Sequence, residues 1–113
     1  MTATLFDLAL YDRIVEFVRS ETRTRKPLSR DTDIAKDLGV DGDDAHDFMR
    51  RYQREFEVDL SQFEFDRHFG GEGFDLIEAL KSALGRGKKR TPVTISLLFT
   101  AAKDHRWPGE SAD

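Results

Sequence analysis

The sequence contains no cysteine and no long hydrophobic run. Without cysteine the chain has no thiol nucleophile, no Cys-ligated zinc or iron–sulfur cluster and no disulfide framework, which fits a reducing compartment. No segment approaches the ~20 consecutive apolar residues of a membrane span. The N-terminus lacks the basic start of a signal peptide, and Asp7 and Asp12 interrupt its apolar residues. We therefore expect a cytoplasmic protein that has no membrane partner.

Charge and phenylalanine are both abundant. The chain has 113 residues and a mass of 13.0 kDa, which predicts one domain over residues 1–113. Charged residues make up 35% of it and hydrophobic residues 38%, nine of them Phe, so we expect a globular chain with an aromatic core. The net charge of −4 argues against binding of nucleic acid and favours a protein partner with a basic docking face.

The spacing of apolar residues predicts two amphipathic helices in the first half of the chain. Helix I covers Leu5 to about Glu21, with Leu5 and Leu8 counted on its apolar face. Helix II covers about Gly42 to Phe56, and its apolar face is predicted to consist of Ala45, Phe48, Met49, Tyr52 and Phe56. The polar residues between them predict a long loop that ends in a short turn at Ile34–Gly39.

The second half is less regular. Residues 57–73 could form a short strand, a 3₁₀ turn or an ordered loop, because Val58, Phe63 and Phe65 alternate only loosely with polar residues, and we favour the ordered loop. A short third helix is predicted from Phe74 to Leu84, followed by a basic linker over residues 85–92. A last helix is predicted to start after Thr94, an N-cap residue, and to end at Pro108, with a frayed tail over residues 108–113. The fold class is therefore all-α, a small bundle of about four helices.

Helix II begins in an unusually acidic stretch. From Asp31 to Asp47 there are seven aspartates, opposed only by Lys36. Such a run indicates either a docking surface for a basic partner or a solvated helix N-terminus whose carboxylates complement the helix dipole. A calcium loop counted from Asp37 fails, because Gly39 and Phe48 stand where oxygen ligands are needed.

No other motif predicts a metal, a cofactor or catalysis. The three histidines show no metal-ligand spacing. The glycine-rich stretches at residues 70–73 and 85–89 lack the spacing of dinucleotide or P-loop motifs. The sequence offers no pair of nucleophile and base, so we do not expect an enzyme.

Five residues before and inside helix II carry a family resemblance: Asp37, Leu38, Gly39, Asp41 and Asp44. With Glu55-Phe56 and Thr94-Ile95, they make the chain resemble acyl carrier proteins, and in particular an uncharacterised bacterial branch that keeps Gly-Asp-Asp-Ala at this point. The resemblance implies an acyl-carrier-like four-helix bundle. It also implies that Gly42 occupies the place of the serine that carries phosphopantetheine, so neither that cofactor nor covalent acyl carriage is expected.

The resulting prediction is a non-catalytic protein-interaction domain that docks its partner through acidic helix II. The partner-binding residues would be Asp41, Gly42, Asp43, Asp44, His46, Asp47 and Arg50. The alternative is a small acidic immunity or antitoxin-like protein that neutralises a basic toxin, which rests on size and charge alone.

Overall fold

In the computed structural model, the described residues are 4–69 and 91–109, and they form an all-α fold. The helices are α1 (Leu5–Thr22), α2 (Gly42–Phe56), the single turn α3 (Phe65–His68) and α4 (Ile95–Asp104). Within these residues there is no strand, only two isolated β-bridges. None of the helices in this part of the chain is both long and apolar enough to cross a membrane.

α1 is fixed at its N-terminus by a reciprocal cap. The Asp7 amide donates to the Thr4 hydroxyl at 3.0 Å, and the Thr4 amide donates to the Asp7 carboxylate at 3.2 Å. The hydrogen bond from the Thr4 backbone, together with Lys103, lowers the pKa of Asp7. Since Lys103 lies 3.1 Å from that carboxylate, the same residue also joins α1 to α4.

The apolar face of α1 differs from the predicted one. Leu10, Ile14 and Val18 are buried, whereas Leu5 is 86% exposed and Leu8 is 54% exposed. The assignment of these two leucines to the inward face was wrong. Each residue of a helix turns by about 100°, so Leu8, two residues before Leu10, points away from the buried ridge.

α2 has the predicted bounds and the predicted apolar face. Its buried residues are Ala45, Phe48, Met49, Tyr52 and Phe56. The Tyr52 hydroxyl donates to the Leu98 carbonyl at 2.7 Å, which ties α2 to α4 inside the core. Burial raises the pKa of Tyr52, because an ionised phenol would lose its hydration there.

Residues 23–41 connect α1 to α2 and are pinned to the start of α4. The Ile34 amide donates to the Val93 carbonyl at 3.0 Å, and the Ile95 amide donates to the Thr32 carbonyl at 3.1 Å. Ile34 is fully buried and is the first residue of the predicted turn. These bonds fix the backbone that leads into the N-terminus of α2.

The segment after α2 contains a helical turn that the sequence did not predict. α3 lies inside the stretch interpreted as an ordered loop. The turn is helical there because His68 and Phe69 are buried against the aromatic core and fix its position. Phe63 packs on Trp107 with ring centroids 5.0 Å apart. The predicted third helix, the break at residues 70–73 and most of the basic linker lie outside the described residues.

α4 starts as predicted and ends earlier than predicted. The Leu97 amide donates to the Thr94 hydroxyl at 3.1 Å, which confirms Thr94 as the N-cap. The helix stops at Asp104, because His105 adopts a left-handed conformation, with φ of 59°, and closes the last turn. Pro108 therefore does not end the helix, and Trp107, just before it, is buried.

Candidate functional site

The candidate partner-binding residues all lie in the N-cap and the first nine residues of α2. Asp41 is the N-cap residue, with extended backbone, and its side chain makes no capping hydrogen bond to the helix. Gly42 follows with φ of 57°, in the left-handed region. An L-amino acid at such a position costs about 1–2 kcal/mol, which gives a backbone reason for glycine here.

Two aspartates in the first turn project into solvent. Asp43 and Asp44 are exposed and make no ion pair or side-chain hydrogen bond with any other residue that the structure describes. Asp47, one turn later, is half-buried and forms an ion pair with Arg50. The free carboxylates are thus concentrated at the N-terminal end of α2, where the helix dipole favours them.

His46 lies on the same half of α2 and is held flat against an aromatic ring. Its imidazole stacks on Phe65 with ring centroids 3.7 Å apart and planes within 5°. Phe65 in turn contacts Phe69, which is buried, at 5.2 Å. The exposed imidazole is therefore positioned by α3, and Phe65 is a residue of the site that the sequence analysis missed.

On the side of α2 that faces α1, the acidic residues border a polar cavity of about 200 Å³. Asp44, Asp47 and Phe48 line it from α2, and the turn at residues 38–40 and the end of α1 complete it. Arg51, which also lines this cavity, donates a hydrogen bond to the Glu21 carboxylate at 2.8 Å. This hydrogen bond raises the pKa of Arg51. The pair locks α2 against α1 beside the acidic turn.

The chemistry available on this surface is charge and stacking. Among the described residues no group of three or more His, Asp or Glu side chains could hold a metal ion. The other two histidines bond to backbone: Nδ1 of His68 lies 2.8 Å from the Thr91 carbonyl, and Nδ1 of His105 lies 3.2 Å from the Glu57 carbonyl. The predicted residues therefore form one contiguous polar surface, with two unpaired carboxylates and a flat ring.

Comparison with known families gives one match over most of the chain. A family model described as a protein of unknown function, DUF1493, matches residues 8–108. No curated protein and no solved structure matches the chain. The expected resemblance to acyl carrier proteins is wrong, because the family that matches is not an acyl carrier family. The motif behind that resemblance is short, and its residues are aspartate, leucine and glycine. Such residues also occur at the start of helices in unrelated families.

Proposed function

This chain belongs to the DUF1493 family, whose function is unknown, and on that premise we propose that it is a non-catalytic protein-interaction domain. The proposed docking surface consists of residues in the N-cap and the first nine residues of α2. It comprises Asp41, Gly42, Asp43, Asp44, His46, Asp47 and Arg50. We propose further that the domain works in the cytoplasm without a cofactor, and that the whole chain forms a four-helix bundle with a long loop between its first two helices.

This proposal rests on the observation that two carboxylates in the first turn of α2 have no ion-pair partner. Asp43 and Asp44 are exposed and engage no cation in the described part of the chain. A run of like charges destabilises a compact chain by self-repulsion. The helix dipole offsets part of this cost, because Asp43 and Asp44 lie in the first turn of α2. A basic partner would neutralise the remainder.

The surface also supports a statement about the partner's chemistry. Carboxylates that stand in solvent steer an oppositely charged partner and raise the association rate more than the affinity. The imidazole of His46, flat on Phe65, offers an aromatic face on which an arginine guanidinium can stack. The partner we expect is therefore a protein whose docking face carries arginine or lysine.

The test is affinity capture from the lysate of the source cell, with three versions of the full chain as bait. One is the wild type and the second carries Asp43→Lys and Asp44→Lys. The third carries Asp31→Lys and Asp104→Lys, a control that changes the net charge by the same amount at exposed sites outside α2. Circular dichroism establishes that all three baits are folded.

We expect a basic protein to be retained by the wild type and the control and to be lost from the α2 variant. Its binding should weaken as salt is raised, because exposed charges are screened over about 10 Å at 0.1 M salt. Equal capture by all three baits, or no capture by the wild type, would show that the proposal is wrong. Tight, specific capture of one basic toxin would instead identify the immunity or antitoxin-like function.

A further inference from the structure

The imidazole of His46 is covered on one face by Phe65 and is otherwise exposed. The two rings are nearly parallel, with centroids 3.7 Å apart and planes within 5°. The side chain of His46 is exposed, and no hydrogen bond or ion pair joins its ring nitrogens to another residue in the described part of the chain. The outer face of the ring is therefore available to a group from a partner.

The aromatic core holds this ring in position from behind. Phe65 contacts Phe69, which is buried, with ring centroids 5.2 Å apart, and meets Phe63 edge-on at 6.4 Å. Phe63 in turn packs on the buried Trp107 at 5.0 Å. The imidazole thus lies on a packed set of rings and has little freedom to lose when a partner binds, which favours affinity.

The helical repeat decides which charges lie beside His46. Asp43 precedes it by three residues and Arg50 follows it by four, so both border the ring on the same side of α2. Arg50 is paired with Asp47, whereas Asp43 has no partner among the residues that the structure describes. Asp44 lies about 160° around the helix from His46, on the side of the polar cavity. One free carboxylate therefore lies next to the exposed ring.

A planar cation fits this ring and this carboxylate together. The guanidinium of arginine stacks on aromatic faces and presents a fork of N–H donors that matches a carboxylate. The ammonium of lysine is a compact, strongly hydrated charge that can pair with the carboxylate but gains less from the ring. A nucleic-acid base is also flat, but its phosphates would be repelled by Asp43 and Asp44.

We propose that His46 selects arginine over lysine on the docking surface. An arginine of the partner protein stacks on the outer face of the imidazole and donates hydrogen bonds to the carboxylate of Asp43. The selection rests on the proposed function, since the same surface would hold the partner. Asp44, on the other side of the helix, attracts any cation at long range and does not distinguish arginine from lysine.

The test compares the binding of two glycine-rich peptides to the full chain, one with three arginines and the other with three lysines. The peptides have the same length and charge, so a difference in affinity reports the shape of the cation. Backbone amide NMR shifts of residues 41–50 follow each titration at about pH 8, above the usual range of histidine protonation. The wild type should bind the arginine peptide about fivefold more tightly, the size of one exposed cation–π contact.

Substitutions at His46 then identify the ring as the cause. His46→Ala should remove the preference by weakening the arginine peptide alone. His46→Phe should retain the preference, because a phenyl ring offers the same flat face to a guanidinium. Since His46 is exposed, both variants should keep the helical circular dichroism of the wild type.

The two aspartates of the first turn provide a matched pair. Asp43→Asn should reduce the preference for arginine, whereas Asp44→Asn should weaken both peptides by the same factor. Equal binding of the two peptides by the wild type, a preference that survives His46→Ala, or its loss in His46→Phe would overturn the selection of arginine and leave the docking surface in place. If neither peptide shifts residues 41–50, both the selection and the docking surface are wrong.

Discussion

Among the described residues, five backbone positions lie in the left-handed region. Gly39 and Gly42 have φ of 75° and 57°. The other three are the C-caps of the long helices, Arg23, Glu57 and His105, with φ between 53° and 59°. The glycines fall where the backbone turns into α2, and there the lack of a side chain removes strain. The three C-caps are not glycine, and the backbone amide of each donates a hydrogen bond to a carbonyl oxygen in the last turn of the helix that it ends.

We predict that Gly39→Ala lowers the free energy of unfolding by about 1 kcal/mol, because alanine is strained at positive φ. The site is a clean one: no atom lies within 4 Å of an added Cβ, so no clash contributes. Gly109→Ala is the control, since that position has equally open space and no positive φ. Urea denaturation of both variants is the measurement. An equal effect of the two substitutions would show that backbone strain at Gly39 is not the cause.

At the scale of helices, local signals set most of the boundaries. α2 begins after an aspartate with acids in its first turn, and α4 begins after a threonine, both of which are readable from sequence. The end of α4 could not be predicted from the sequence. His105, in the left-handed conformation, ends the helix three residues before Pro108, on which the prediction relied. α3 was missed for a related reason, since four residues are too few for a periodic pattern.

The cap of α4 gives a prediction at this scale. Thr94→Ala should lower the free energy of unfolding by about 1 kcal/mol, because the Leu97 amide loses its hydrogen-bond acceptor. Thr100→Ala, on the exposed side of the same helix, is the matched control. It should be neutral or slightly stabilising, since alanine has the higher helix propensity. Thermal unfolding followed by circular dichroism distinguishes the two, and a Thr100 variant as unstable as the Thr94 variant would contradict the capping argument.

At the scale of the whole molecule, distant segments meet through a few buried polar bonds in an aromatic core. Tyr52 joins α2 to α4 through the Leu98 carbonyl, and Trp107 packs near it with centroids 6.5 Å apart. The Trp107 amide also donates to the Asp59 carbonyl at 2.8 Å. The segments after α2 and after α4 are thereby held together without a sheet.

We predict that Tyr52 makes stability depend on alkaline pH. Its pKa is raised in the folded chain, so above the ordinary tyrosine pKa of about 10 the folded state binds more protons than the unfolded state. The free energy of unfolding therefore falls as pH rises through that range. Tyr52→Phe should cost about 1 kcal/mol at neutral pH, through the lost hydrogen bond, and should flatten the alkaline decline.

The measurement is urea denaturation at about pH 8 and about pH 11, on either side of ordinary tyrosine ionisation. Tyr11→Phe is the control, because Tyr11 is only half-buried. That variant should retain the alkaline decline. A Tyr52→Phe variant that loses as much stability between the two pH values as the wild type would show that the buried phenol is not responsible.

The sequence by itself determined the all-α class, the bounds and buried face of α2, the cap of α4 and the acidic first turn of α2. These depend on residues within one or two turns of each other, so spacing and residue type suffice. Only the tertiary structure decided that Leu5 and Leu8 face solvent, that His46 stacks on Phe65, and that a groove forms between α1 and α2. Each of these features depends on which segments meet in space. Contacts between residues that are far apart in the sequence produce no periodic pattern from which they could be predicted.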